Sequence, residues 1–260
     1  IMKDKALIAL GFIFVLSQTP LIADAGTISV PGDASDLRSA LESAVPGDRV
    51  ELSPGVYFEK NLVMPEGIAL VGLGDLPGDV VIDAGFSGRI LLCEGITQAT
   101  YIENITFTRG LAEGPSSYDQ SGGAIYASNS SLRISNCVFS TNEAGSHGGA
   151  IRSNKSSILI YDSVFVGNSA PNGGGGAVDC SYDSEPLFRT CDFNENSASW
   201  GGALSFRTYS APLVSNCRVK SNSAEGELGF GGAVFTDLAA APEFTFSTFH
   251  DNQATYGGAL

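Results

Sequence analysis

From residue 121 onward, apolar and polar positions along this chain alternate in short runs, and the runs themselves recur in phase. Ile125, Ile151, Val178, Leu204 and Val234 each follow a Gly-Gly-Ala triplet. A second apolar series runs Ile134, Ile160, Phe188, Val214, Phe244. A third pairs a small residue (Cys137, Ser163, Cys191, Cys217, Ser247) with an apolar one two positions on (Phe139, Phe165, Phe193, Val219, Phe249). Neighbours of these positions follow no rule: after the first series come Tyr126, Arg152, Asp179, Ser205 and Phe235. Period-two alternation over a few residues, bounded by Gly, Asn, Ser and Pro, predicts strands and turns. The step between the second and third series is out of register by one, which predicts a corner, since side chains alternate faces along one strand.

Two motifs punctuate the pattern. GGA[I/V/L] occurs at 122–125, 148–151, 175–178, 201–204, 231–234 and 257–260, at intervals of 26, 27, 26, 30 and 26 residues. Phe-x-x-Asn occurs between them, at Phe139/Asn142, Phe165/Asn168, Phe193/Asn196 and Phe249/Asn252, with Val219/Asn222 as the variant copy. Such periodicity marks a solenoid. Three short strands per repeat, with inward positions matching from copy to copy, predict an all-β fold, a right-handed parallel β-helix. Like residues should stack in columns: an aromatic stack of Phe, an amide ladder of Asn whose residues also suit a left-handed turn, and Gly pairs that allow sharp turns and close approach. One repeat alone cannot bury its core, so stability comes from stacking.

The entry differs. Residues 35–44 place Leu37, Ala40, Leu41 and Ala44 on one face of a short helix, with Asp33 or Ser35 as cap and Pro46-Gly47 as stop. This helix should cover the open end of the core, which would otherwise expose strand edges. Irregular coils follow at 50–57, 62–73, 80–82, 89–93 and 101–107. About eight coils at roughly 4.8 Å make a rod near 40 Å long. At the very start, Lys3 and Lys5 precede an apolar run at 6–16 that is too short to span a bilayer, and Ala23-Asp24-Ala25 fits signal cleavage before Gly26. The chain divides into a signal peptide at 1–25, cap and irregular coils at 26–120, and repeat coils at 121–260. It stops at Leu260 inside a repeat, which predicts a fragment whose following region carries a cap or an anchor. These readings place the protein outside the cell, secreted or associated with the cell surface or outer membrane.

Composition narrows the partners. A formal net charge of −14 argues against nucleic acid and anionic lipid, both of which need a basic surface. No transmembrane segment follows the signal. A cell-surface or extracellular glycan or protein fits better; no cofactor is expected, and the acidity suits a solubilising surface or, as the alternative, weak Ca²⁺ binding.

The paired GGA[I/V/L] and Phe-x-x-Asn motifs, over residues 121–260, resemble the repeats of the polymorphic outer membrane proteins of chlamydiae. That resemblance implies a surface-exposed or secreted β-helical passenger linked to adhesion, followed in that family by an outer-membrane barrel, which these residues do not include. Residues 36–59 look like the opening of pectate-lyase-like β-helices, many of which act on polysaccharides. This second resemblance is one of fold. Three functional readings result: a non-catalytic adhesin or passenger, a polysaccharide lyase or glycosidase, and a purely structural spacer.

Cys137, Cys191 and Cys217 share one inward column, Cys180 lies on another and Cys93 in the irregular coils. Free buried thiols and a Cys191–Cys217 bridge are both compatible with that stacking. His147 and His250 fall in different columns, which disfavours a shared metal. Residues 173–176 have the glycines of a calcium-binding repeat, but Val178 stands where the Asp should be. A glycosidase needs two carboxylates facing one cleft, and the densest outward charge is Asp179, Asp183 and Glu185 on one coil, with Arg152 and Arg207 on its neighbours. These five are the candidate glycan- or ion-binding face; the alternative is a solvated turn with stray charge. Asp83 reads as a turn residue. Leu159, Leu187 and Leu213 form an outward apolar column suited to docking, or to cover by a loop. Asn104, Asn129 and Asn154 begin glycan acceptor triplets.

Overall fold

The computed structural model describes residues 25–226, 229–237 and 239–259. The signal read at 1–25 lies, but for Ala25, outside them. The described chain winds into a parallel β-helix whose strands form four sheets of nine, eight, seven and six strands, bracketing the eight coils expected. One regular coil runs Ile125–Ser128, Ser131–Ser135, Val138–Ser140, Glu143–Ala144. The next runs Ile151–Asn154, Ser157–Tyr161, Val164–Val166, Ser169–Gly174. Coils therefore carry four strands rather than three. The fourth varies from two residues at Glu143–Ala144 to six at Ser169–Gly174, so no constant alternation registers in the sequence.

The predicted columns form. Ile125 pairs with Ile151, then Val178, Leu204 and Val234. Ile134, Ile160, Phe188, Val214 and Phe244 align in the nine-stranded sheet. Phe107, Phe139, Phe165 and Phe193 stack with ring centroids 5.1, 4.8 and 4.9 Å apart and nearly parallel planes. These columns fill the core, and burying one such side chain stabilises by about 1.5–3 kcal/mol.

The Gly pair has two separate causes. The first glycine of each copy sits at positive φ, from 59° at Gly201 to 70° at Gly175, so it turns the chain. The strand accordingly begins at Ile125, Ile151 or Val178, after the pair and not on it. The second glycine has no room for a side chain: a Cβ on Gly123, Gly149, Gly176 or Gly202 would overlap the carbonyl oxygen of its counterpart on the next coil. The alanine that follows is fully buried in all five copies that end in a strand.

The other three corners share one construction. A residue in the left-handed region is followed by a polar one whose side chain accepts the backbone N–H of the coil before. At the phenylalanine corner the left-handed residues are Thr141, Gly167, Glu195, Ser221 and Asp251. The asparagines follow them and do not themselves adopt that conformation. Each Asn takes up the amide N–H of the previous Asn (Asn142 N to Asn168 Oδ1, 3.0 Å), and the side-chain amides form a ladder at 2.9–3.0 Å through Asn142, Asn168, Asn196, Asn222 and Asn252. Each Asn Nδ2 also donates to the carbonyl of the Phe or Val column, as Asn196 does to Phe165 at 3.0 Å. At the second corner, Cys137 N donates to Ser163 Oγ, Cys191 N to Cys217 Sγ and Cys217 N to Ser247 Oγ. At the third, a serine ladder not anticipated from sequence runs Ile96 N to Ser130 Oγ, Ser130 N to Ser156 Oγ and Ser156 N to Ser184 Oγ.

The helix Leu37–Ser43 covers the N-terminal end and buries Leu37, Ala40 and Leu41. Its cap is Asp36, whose Oδ1 accepts Ser39 N at 2.8 Å, rather than Asp33 or Ser35. The helix begins at Leu37, so the residue just before it holds the capping position. Asp33 instead binds Ser29 N.

Two substitutions test this construction. Asn196→Ala leaves the buried Asn168 N–H without a partner, worth roughly 1–3 kcal/mol, and breaks the side-chain ladder on both sides, so it should lower the urea midpoint accordingly. Gly176→Ala forces apart two backbones and should cost at least about 1–3 kcal/mol. Variants as stable as the parent in urea titrations contradict the assignment.

Candidate functional site

The charged face picked out from sequence lies on the outer side of the seven-stranded glycine sheet. There Tyr126, Arg152, Asp179, Ser205 and Phe235 occupy one outward column, paired strand to strand. Asp179 sits between the two arginines. Arg152 from the preceding coil forms an ion pair with Asp179 Oδ1 and donates to Ser181 Oγ at 2.7 Å. Arg207 from the following coil donates to both carboxylate oxygens, at 3.0 and 3.1 Å. Three of the five candidates thus converge. Asp183 and Glu185 do not: both are exposed, and among the described residues neither joins an ion pair.

The column points away from the helix core, yet it is not solvated. Asp179 is fully buried and Arg152 is 6% exposed, which corrects the expectation of a solvated turn. The cover comes from the segment that leads into each Gly pair. Between Ala170 and Gly174 the strand pairing shifts register, matching the one repeat of 27 residues, and Gly174 comes to lie over the carboxylate. A Cβ on Gly174 would be 2.7 Å from Ser205 Oγ and 3.4 Å from Asp179 Oδ2. His147 Nδ1 accepts the Gly174 N–H at 3.1 Å, and the Trp200 ring lies 6.4 Å from the imidazole. Further along, the Arg89 guanidinium lies 5.2 and 5.0 Å from the Tyr118 and Tyr126 ring centres.

This environment disfavours protonation of the basic groups. Burial, then Arg207, lowers the Arg152 pKa to about 10. Burial, then Arg207 and Arg152, holds the His147 pKa at about 3, so its imidazole is neutral and its Nδ1 is free to accept. With both Asp179 oxygens engaged by guanidinium groups, the triad is an internal tie between three coils. Removing one member of such a buried cluster strands the rest, at a typical cost of about 3–5 kcal/mol.

Asp83, read as a turn residue, is buried; it accepts Gly85 N at 2.9 Å in a local turn and also pairs with Arg109. The five cysteines are free and buried. Burial raises Cys137 and Cys180 to about 12, while the Cys217 sulfur and then burial push Cys191 up. Among the described residues, no three His, Cys, Asp or Glu side chains converge to hold a metal ion, and no helix is long and apolar enough to cross a membrane. Asn104 has its side chain committed to the Gly72 and Gly74 carbonyls, whereas Asn129 is exposed.

Four parallel sheets wound around one core, with inter-coil ladders at the corners, define a right-handed β-helix. The family model described as "Right handed beta helix region" matches residues 90–259, and the chain belongs to that family. Among curated proteins, the metabotropic glutamate receptor-like protein R of Dictyostelium discoideum is 32% identical over 80 residues, which are 31% of this chain and 5% of that protein's length. Among solved structures, pectin methylesterase from carrot aligns over 91% of this chain and 85% of its own, with 13% identity and a TM-score of 0.49. Escherichia coli ybhc aligns over 97% and 72%, with 12% identity and a TM-score of 0.47.

Two outcomes check the site. Asp179→Asn should destabilise by roughly 3–5 kcal/mol, while Asp183→Asn and Glu185→Gln should stay within about 0.5 kcal/mol; urea midpoints separate these. For His147 the folded pKa lies below the unfolded value, so between about pH 6.5 and pH 3 the unfolded chain binds a proton that the folded chain does not. Stability should therefore fall as pH falls through this window, by up to roughly 1.4 kcal/mol per pH unit. His147→Gln should flatten the slope between pH 6.5 and 4.5, and a slope that persists in the variant contradicts it.

Proposed function

We propose that this chain is an exported, surface-acting β-helical repeat protein, with repeats of the polymorphic outer membrane protein type, that binds or displays rather than cleaves. The observation that carries this reading is the closed state of its charge cluster. A glycosidase places two carboxylates across an open cleft, one to donate and one to accept or attack. Here the buried carboxylate of Asp179 is held by two arginines under a backbone cover, and the other two carboxylates of the coil point elsewhere into solvent. The amino-terminal signal pattern and the net charge of −14 support an exported, soluble surface. The ligand is a cell-surface or extracellular glycan or protein.

Incubation with neutral and acidic polysaccharides, with and without Ca²⁺, separates this from the lyase or glycosidase reading. Reducing ends and unsaturated products should stay at the level of the blank while retention on immobilised surfaces is measurable. Product that forms and then falls in Asp179→Asn, at matched folded fraction, supports the enzyme reading and overturns the proposal.

A further inference from the structure

The face that remains open is on the opposite kind of surface from the one the charges suggested. The outer side of the nine-stranded sheet carries one unbroken row across adjacent strands: Tyr101, Arg133, Leu159, Leu187, Leu213. These side chains stand out from the pleat, and Tyr101 and Leu159 are 41% and 36% exposed. A groove of about 290 Å³ runs beside them, lined by Tyr101, Arg133 and Leu159 with Gln98, Ser131 and Ser157 at its edge. A second groove of about 270 Å³ lies on the other side, and Tyr101 and Arg133 line that one too. The two together make a furrow around a ring and a guanidinium.

The furrow is held ready. Its far wall is the turn at Thr97 and Gln98, pinned by one oxygen of Glu66, which accepts both backbone N–H groups at 2.9 Å and the Thr97 hydroxyl at 2.6 Å. The Arg133 guanidinium lies 5.0 Å from the Tyr161 ring centre, which fixes its plane. Among the described residues Arg133 joins no ion pair, so its fork of donors faces solvent unclaimed.

We propose that this furrow binds an uncharged glycan, which rests on the reading of the chain as a surface-binding protein. A sugar has an apolar face and a rim of hydroxyls. The Tyr101 ring and the Leu159 side chain supply the apolar bed, and Arg133, Gln98, Ser131 and Ser157 supply donors and acceptors at the edge, the usual division of labour in a ligand site. Adjacent strands place the reading side chains about 4.8 Å apart, so Tyr101 to Leu159 spans roughly 10 Å. A peptide cannot enter by strand addition, because every strand here is already paired on this face and addition needs a free edge. In the second groove Arg49 is already paired with Glu51 and the charge of Glu103 offsets that of Arg133, so no surplus of positive charge is left there for a polyanion, which the net charge of −14 also disfavours.

The test uses the full chain against glucan, xylan, mannan and galactan oligosaccharides, with polygalacturonate alongside, by titration calorimetry. At least one neutral oligosaccharide should bind, and Tyr101→Ala and Arg133→Ala should each weaken it tenfold or more with melting midpoints unchanged. Tyr209→Ala, exposed outside the furrow, should leave binding unaltered. No binding to any neutral oligosaccharide, binding indifferent to both furrow variants, or tighter binding of polygalacturonate would overturn the proposal. Attachment to cells that survives both variants leaves the surface role standing and rejects the furrow alone.

Discussion

The structure depends on how a coil satisfies the backbone N–H at its corners. Along a strand, each N–H finds a carbonyl on the neighbouring coil. At a corner the chain turns through a left-handed residue, and the next N–H points along the rod axis into the protein, where no strand carbonyl is waiting. A buried amide without a partner costs roughly 1–3 kcal/mol. The partner is a side chain of the following coil: serine at one corner, serine or cysteine at the second, asparagine at the third. The acceptor lies one coil ahead, so each corner locks two coils in register. Asparagine does more than the others, because its amide also donates to the next Asn and to the Phe column carbonyl. The fourth corner follows a different rule. There the backbones touch, and the Gly pair is the consequence.

With the interior fixed by columns and the corners by ladders, only outward positions are free to vary, and it is there that chemistry can differ from coil to coil. Two of the four outer faces have gone opposite ways. On the glycine sheet the leading segments of successive repeats fold over the outward column and seal Asp179 between Arg152 and Arg207. On the nine-stranded sheet none of the described residues folds over Tyr101, Arg133 and Leu159, and the turn at Thr97 only edges the furrow. Sealing turns charge into a structural tie; openness leaves a ring and a guanidinium for a ligand.

Much of this was legible in the residues. The phase of Ile125, Ile160 and Phe165 fixed three columns, and the Asn recurrence anticipated the ladder. Less legible was anything that needs a second coil to make sense. Ser130, Ser156 and Ser184 look like ordinary turn serines until their hydroxyls are seen accepting from the coil before. The fourth strand, two residues at Glu143–Ala144 and six at Ser169–Gly174, is too variable in length to show a period. The burial of Asp179 was invisible because alternation tells which way a side chain leaves the strand, not whether a loop lies above it. Tyr101 precedes the regular repeats, so no spacing linked it to Arg133.

Amide hydrogen exchange across the folded protein tests the corner account most directly. The amides of Asn142, Asn168, Asn196, Ser130 and Ser156 sit at turns, where exchange is ordinarily fast. The ladders predict that they exchange as slowly as the strand amides of Ile160 and Phe165, through opening of the whole stack. Corner amides that exchange at the rate of exposed turns, while those strands stay protected, would contradict the claim that the ladders hold the coils together.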